Sequence, residues 1–209
     1  MNIIGITVST NYSDLLCHAL KSNHKYFKHW IFVTDQNDKD TIELLNQYDN
    51  ITILFFDFQE GGKVFNKGGA VKKAQEFAYQ EFPDEWYLNI DSDICLEKNF
   101  DEEMEKIYNS LKEDHIYGSE NRFHYLSIDD YANRENSHPY PCSKMIQGFF
   151  QLYKQKILYD DSYDCSWCDV KFSKDFLHRQ DFLDNVVCNH LGNSCVNWQG
   201  RKDRTDFIQ

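Results

Sequence analysis

The sequence predicts an α/β fold in which a mostly parallel central sheet is flanked by helices and gives way to a mixed C-terminal half. Two observations carry that prediction. Apolar, β-branched runs alternate with segments of helical apolar spacing over about the first hundred residues, which is the pattern of βαβ units. The chain has 209 residues, 41% of them hydrophobic and 27% charged, enough for one buried core and too few for two. No repeat, low-complexity tract or linker divides it. One domain over residues 1–209 is expected, with a first half to residue 96 and a second from 97 onward.

The elements follow in order. Asn2 to Thr10 is an apolar run ending in small hydroxyls, a buried strand that delivers a loop. Ser13 is placed to cap a helix over Asp14 to Ser22. His29 to Asp35 reads as a second strand, Asp38 and Asp40 mark a helix start that Leu44, Leu45 and Tyr48 continue, and Ile51 to Phe58 is a third strand. After Gly61 and Gly62, the positions Ala70, Val71, Ala74, Phe77 and Ala78 recur at helical spacing between Lys67 and Phe82. Glu85 to Ile90 is a fourth strand and runs straight into Asp91-Ser92-Asp93. Beyond it the sequence predicts a helix over Phe100 to Leu111 and strands over His115 to Gly118 and Lys144 to Leu152. A loop over Ser127 to Cys142, short helices over Lys171 to Phe176 and Phe182 to Cys188, and a polar tail from Asn197 complete the pattern.

Charge narrows the function. The formal net charge is -12 and the 22 Lys and Arg are dispersed, so the field of the molecule repels phosphate backbones and argues against a nucleic-acid partner. A small anionic ligand meets the same repulsion unless a carboxylate-bound divalent cation bridges it. No stretch is apolar enough to span a bilayer and the N-terminus lacks the pattern of a signal peptide, so a cytoplasmic location is expected. The seven cysteines then read as reduced thiols.

In open α/β sheets ligands bind beyond the carboxyl ends of the strands. Asp91 and Asp93 stand there, two hard oxygen ligands that converge on one Mn2+ or Mg2+ if the chain bends at Ser92. The segment Trp86 to Leu96, WYLNIDSDICL, resembles the strand and DxD motif of the GT-A glycosyltransferases, whose fold is Rossmann-like. That resemblance implies that the two aspartates hold the metal and, with Ser92, meet the donor. Thr7, Ser9 and Thr10 stand where this family begins to cradle the nucleoside, and Asp35 where an acid meets base or ribose. Phe65 to Gly69, with Asn66 and Lys67, resembles the family's entrance to the helix beside the donor, and Lys63, Lys67 and Arg201 are available to offset diphosphate charge.

Cys168 to Phe176 resembles the acidic motif that supplies a general base in inverting members. Cys168 stands in place of one acid, which leaves Asp169 as the catalytic residue. His190 resembles the late histidine that completes the metal site with the DxD, and imidazole suits Mn2+. Trp198 to Arg201 would close over the donor or acceptor. The resemblance implies a metal-dependent, hexosyltransferase-like enzyme that moves sugar from a nucleotide diphosphate sugar to a glycan or other acceptor hydroxyl. Tyr125, Tyr131, His138 and Tyr140 offer faces for such an acceptor.

Two other readings remain. A sugar-phosphate nucleotidyltransferase shares the layered fold but normally opens with a Gly-rich loop, and Ile3 to Tyr12 contains only Gly5. A non-catalytic module stapled by zinc would use Cys165, Cys168, Cys188 and Cys195 as four thiolates, although the second pair is spaced more widely than a knuckle.

Overall fold

The computed structural model describes residues 1–141, 145–163, 165, 167–176, 178–192, 200 and 201. The first four strands are β1 (Ile3–Val8), β2 (His29–Thr34), β3 (Ile51–Phe55) and β4 (Trp86–Ile90). They lie side by side and parallel, in the order β3-β2-β1-β4. Both faces of these strands are apolar because both are covered. Ile3, Trp30, Phe32, Trp86 and Leu88 enter one layer, and Ile4, Ile6, Ile31, Val33 and Tyr87 enter the other. Gly5 makes room between them, since a Cβ there would lie 2.5 Å from the indole of Trp30.

Helices α1 (Ser13–Asn23), α2 (Lys39–Leu45) and, further along the chain, α4 (Phe100–Ile107) cover the first layer. Helix α3 (Lys67–Glu81) and the later α6 (Cys168–Asp175) cover the second. The helix start expected at Asp38 forms, with its side chain accepting from the Thr41 amide, and Asn66 likewise caps α3 by accepting from the Gly69 amide. Ser13 does not cap α1. It is the first helical residue, and Tyr12 precedes the helix without a side-chain cap bond.

The second half extends the sheet. Its strands are β5 (Ile94–Leu96), β6 (Ile116–Tyr125), β7 (His138–Pro141), β8 (Phe150–Tyr153) and β9 (Gln180–Leu191). β8 is antiparallel to β4 and β6, β9 is parallel to β6, and β5 closes the edge antiparallel to β9. β7 pairs with the outer part of β6.

Several expectations are corrected here. Phe182 to Cys188 is strand, not helix. A shift of register between Ser119 and Asn121 of β6 breaks the alternation of its partner β9, so Leu183 and Val186 are buried at a spacing of three that imitates a helix. Ser127 to Cys142 is not a bare loop. Ser127 caps helix α5 (Ile128–Asn133), and β7 follows it; Cys142 lies outside the described residues. β8 is shorter than the expected strand, whose first residue Lys144 also lies outside them. Among the described residues no helix is long and apolar enough to cross a membrane.

Candidate active site at the β4–β5 turn

The turn that follows β4 brings two polar clusters together. Asp91 ends its strand with a backbone bond to the Phe149 carbonyl, and the Ile94 amide closes the turn on the Asp91 carbonyl. β4 stays beside β8, whereas β5 leaves to join β9. The two carboxylates consequently meet different partners.

The Asp91 carboxylate receives the Lys67 ammonium at 3.1 Å, and the same ammonium reaches Asp169 at 2.9 Å. Lys67 opens α3 directly after the Asn66 cap, and Asp169 lies in the first turn of α6. The Tyr159 hydroxyl donates to the second oxygen of Asp169 at 3.0 Å, and the Gln151 side-chain amide donates to its backbone carbonyl. Gly148 is the floor under this carboxylate: a Cβ there would fall 2.0 Å from Asp169 Oδ2. Burial pulls the Lys67 pKa down, but Asp169 and Asp91 more than offset it and hold the ammonium well above its ordinary value. Burial raises the Asp91 pKa, against the opposing pull of Lys67.

The second cluster surrounds Asp93, whose Oδ2 lies 3.4 Å from His190 Nε2. Burial would raise the Asp93 pKa, and His190 reverses that and leaves it lowered. His190 is near the end of β9, where β5 pairs with one side of it and β6 with the other. On that second side the paired residue is His124, with its ring centroid 4.4 Å from that of His190. Burial, then His190 and Arg122, push the His124 pKa down to about 3, so its ring is neutral. Asp93 Oδ1, His190 Nδ1, both nitrogens of His124 and Arg122 Nε are all buried without a hydrogen-bond partner.

A divalent cation suits these donors. A buried carboxylate oxygen and a buried imidazole nitrogen, both without partners, are what a borderline metal would satisfy. Among the described residues, no three His, Cys, Asp or Glu side chains are already gathered as a ligand set.

The other expected residues are distributed as follows. Thr7 is buried, donates to the Ile90 carbonyl at 2.8 Å and accepts from the Trp30 indole at 2.9 Å; it ties strands together and is not open to a nucleoside. Ser9 is buried with its hydroxyl unpaired, Thr10 is half-buried, and Ser92 is buried inside the turn. Asp35 is half-buried and accepts from the Asn37 amide, and Lys63 donates to Asn66. Arg201 is buried, with its guanidinium engaged by both oxygens of Asp14 and by the Asn11 carbonyl, over the ring of Tyr12. It acts as a clasp on the β1–α1 connection rather than as a free cation for a diphosphate. Tyr125 is buried against Tyr131 and offers no face to an acceptor.

The cysteines do not assemble. Cys168 lies in the α3–α6 layer and Cys188 in the opposite one, while Cys195 and Trp198 lie outside the described residues. A four-thiolate zinc staple is therefore excluded for that set.

No family model and no curated protein sequence matches the chain. Solved structures do. A mannosyltransferase from Pyrobaculum calidifontis, solved in complex with GDP-Man and Mn2+, superposes with a TM-score of 0.64 at 10% identity, over 93% of this chain and 58% of that one. The fold is of the GT-A type. This chain thus spans about three fifths of that neighbour's length. A 4-diphosphocytidyl-2C-methyl-D-erythritol synthase superposes at 0.52 with 11% identity over 88% of both chains. A mycobacterial protein does so at 0.53 with 12% identity over 94% of this chain and 69% of that one.

Tyr159, Gln151, Gly148, Asp14 and His124 were not visible as site residues in the sequence. Each depends on a contact across at least one strand, and none sits in a spaced motif. The isolated glycine just before the Phe149-Phe150 strand start was the one mark that could have pointed to a close backbone approach.

Proposed function

We propose that the protein transfers a sugar from a nucleotide diphosphate sugar to an acceptor hydroxyl. The observation that carries this is the Lys67 ammonium held between Asp91, at the end of the fourth strand, and Asp169, at the start of α6. In a GT-A-type fold that junction is where a donor diphosphate and an acceptor hydroxyl have to meet. The mannosyltransferase neighbour, crystallised with GDP-Man and Mn2+, supports a nucleotide-sugar donor and a divalent cation.

Asp91, Asp93 and His190 would hold the metal. When bound, the metal supplies positive charge against the leaving diphosphate. Lys67 adds charge beside it and orients Asp169. Asp169, held by Tyr159 at Oδ1 and by Lys67 at Oδ2 and seated against Gly148, would take the acceptor proton. Donor class and acceptor are read best by a thermal-shift panel of UDP-, GDP- and TDP-sugars with and without Mn2+, since a ligand of the native state raises its apparent stability. One donor is expected to stabilise the chain only with Mn2+, and Asp91→Asn or Asp93→Asn should remove that shift while leaving the unliganded midpoint near the wild-type value. An unchanged shift in the double variant would refute the reading.

The erythritol synthase neighbour, matched over equal shares of both chains, favours a nucleotidyltransferase as the second reading. The connection after β1 argues against it, because Ser9 to Tyr12 contains no glycine and its single left-handed residue is Asn11. Release of pyrophosphate from a nucleoside triphosphate and a sugar phosphate would reverse that preference.

A further inference from the structure

An arginine keeps its charge at any ordinary pH, so a guanidinium drawn out of water normally has a carboxylate beside it. This chain offers ample choice, with 34 Asp and Glu against 22 Lys and Arg. Three of the four described arginines follow the rule: Arg134 pairs with Glu97, Arg179 with Asp114 and Arg201 with Asp14. Arg122 does not. Half-buried on β6, it makes no ion pair among the described residues, and the one hydrogen bond of its guanidinium there runs from Nη1 to the neutral Gln147 Oε1 at 3.4 Å. Its Nε is buried without a partner.

Two aromatic rings hold the group instead. Its Cζ lies 4.5 Å from the ring centroid of Phe149 and 5.0 Å from that of Tyr140, the residue opposite it on β7. Rings attract the charge without consuming N–H donors, so the fork stays available to an oxyanion. Three consecutive residues decide where that fork stands. Gln147 accepts from Arg122, Gly148 is seated against Asp169, and the Phe149 carbonyl accepts from the Asp91 amide. The guanidinium thus packs on the same short segment that touches both carboxylates joined by Lys67. Its charge also reaches Asp93, whose pKa it helps His190 to lower.

We propose that Arg122 anchors an oxyanion subsite beside that junction, which takes a phosphate or carboxylate group of a substrate through charge-assisted hydrogen bonds. The inference rests on the proposed function for the subsite's place in a reaction and deepens it, because Arg201, the arginine expected to offset a diphosphate, is spent on Asp14. The same chemistry has two sources, the diphosphate of the donor and an acidic group on the acceptor.

The test uses the full chain and two probes, inorganic pyrophosphate for the donor's diphosphate and glucuronate for an acidic sugar acceptor, each titrated calorimetrically with and without Mn2+. Arg122→Met keeps the stem and deletes the charge, whereas Arg122→Lys keeps the charge and deletes the fork. At least one probe is expected to bind the wild type with an affinity that falls as salt rises, to lose about tenfold or more in Arg122→Met, and to recover in part in Arg122→Lys. Loss confined to pyrophosphate identifies the donor as the source, loss confined to glucuronate identifies the acceptor, and loss of both shows a subsite open to either. A charge without a countercharge does not help the empty fold, so the unliganded urea midpoint of Arg122→Met should equal or exceed that of the wild type. A lowered midpoint with unchanged probe affinities makes Arg122 a brace and overturns the proposal, as does a wild type that binds neither probe. Should Arg122→Met fold poorly, the side-chain nitrogen resonance of Arg122 in the wild type decides, moving on addition of a probe if the subsite exists and staying in place if it does not. The two readings fail separately. A probe held through Arg122 in a chain that takes up no nucleotide sugar keeps the subsite and sinks the transferase, and Mn2+-dependent donor uptake with both probes indifferent to Arg122→Met does the reverse.

Discussion

A general base has to be held still next to the hydroxyl it serves, and in the proposed reaction Asp169 would be held by Lys67, distant from it in sequence, and by Tyr159. Replacing it with Asn keeps the Tyr159 contact and the helical position but removes the charge. Transfer is expected to fall by roughly two to four orders of magnitude with donor affinity nearly unchanged, measured as single-turnover rate and as donor Kd. Near-normal turnover would make Asp169 a partner of Lys67 only. Gly148→Ala probes the same carboxylate while keeping it in the sequence. A Cβ at 2.0 Å from Oδ2 must displace the group, so transfer should drop and stability should fall by about 1–3 kcal/mol, read by urea titration. The position of Asp91 and Asp93 just beyond β4 was legible because an apolar run leads straight into them. Thr7 was misjudged because its position at a strand end did not reveal that its hydroxyl is consumed by Ile90 and Trp30. Lys67 was legible as a cation but not as the bridge between two carboxylates, since the Asp91–Asp169 juxtaposition depends on where α6 docks.

At the scale of elements, the parallel first half was legible in the sequence because β1, β2 and β4 are buried on both faces and α2 and α3 carry side-chain caps. The second half resisted. β5 has three residues, too few for any periodicity, and β9 bulges against β6, with the step from Leu183 to Val187 facing only Ser119 to Asn121, which breaks its alternation. Helix α1 and strand β2 each carry a histidine with a lowered pKa: burial and then Lys21 act on His18, and burial alone acts on His29. The sign follows from linkage. Below the unfolded pKa of about 6.5 the unfolded chain binds protons that the folded one resists, so stability rises with pH there and is lost as pH falls through the folded values. The thermal midpoint should therefore decline on acidification below about 6.5, and the decline should be shallower in a His18→Gln, His29→Gln double variant. Parallel curves for the two proteins would exclude these groups as the cause.

For the molecule as a whole, the clasp of Arg201 on Asp14 joins segments that are 187 residues apart. Asp14→Asn leaves a buried guanidinium short of its countercharge and should cost about 3 kcal/mol, whereas Arg201→Met removes the charge together with its partner's obligation and should cost less. Chemical denaturation of both variants measures the difference, and equal losses would show that packing, not charge, holds the clasp. The sheet order has a further consequence, for the growing polypeptide. β4 reaches its outer neighbour only when β8 exists, and β5, with Asp93 at its root, pairs with β9 alone among the described residues. During synthesis the first four strands can pair as they emerge, but they expose the raw edge of β4 for roughly sixty further residues, a time of several seconds at ordinary elongation rates. The nascent chain is at its most adhesive in that interval. Asp91 and Asp169 cannot share Lys67 until α6 has been delivered, so a product truncated before it would be sticky and would lack that junction.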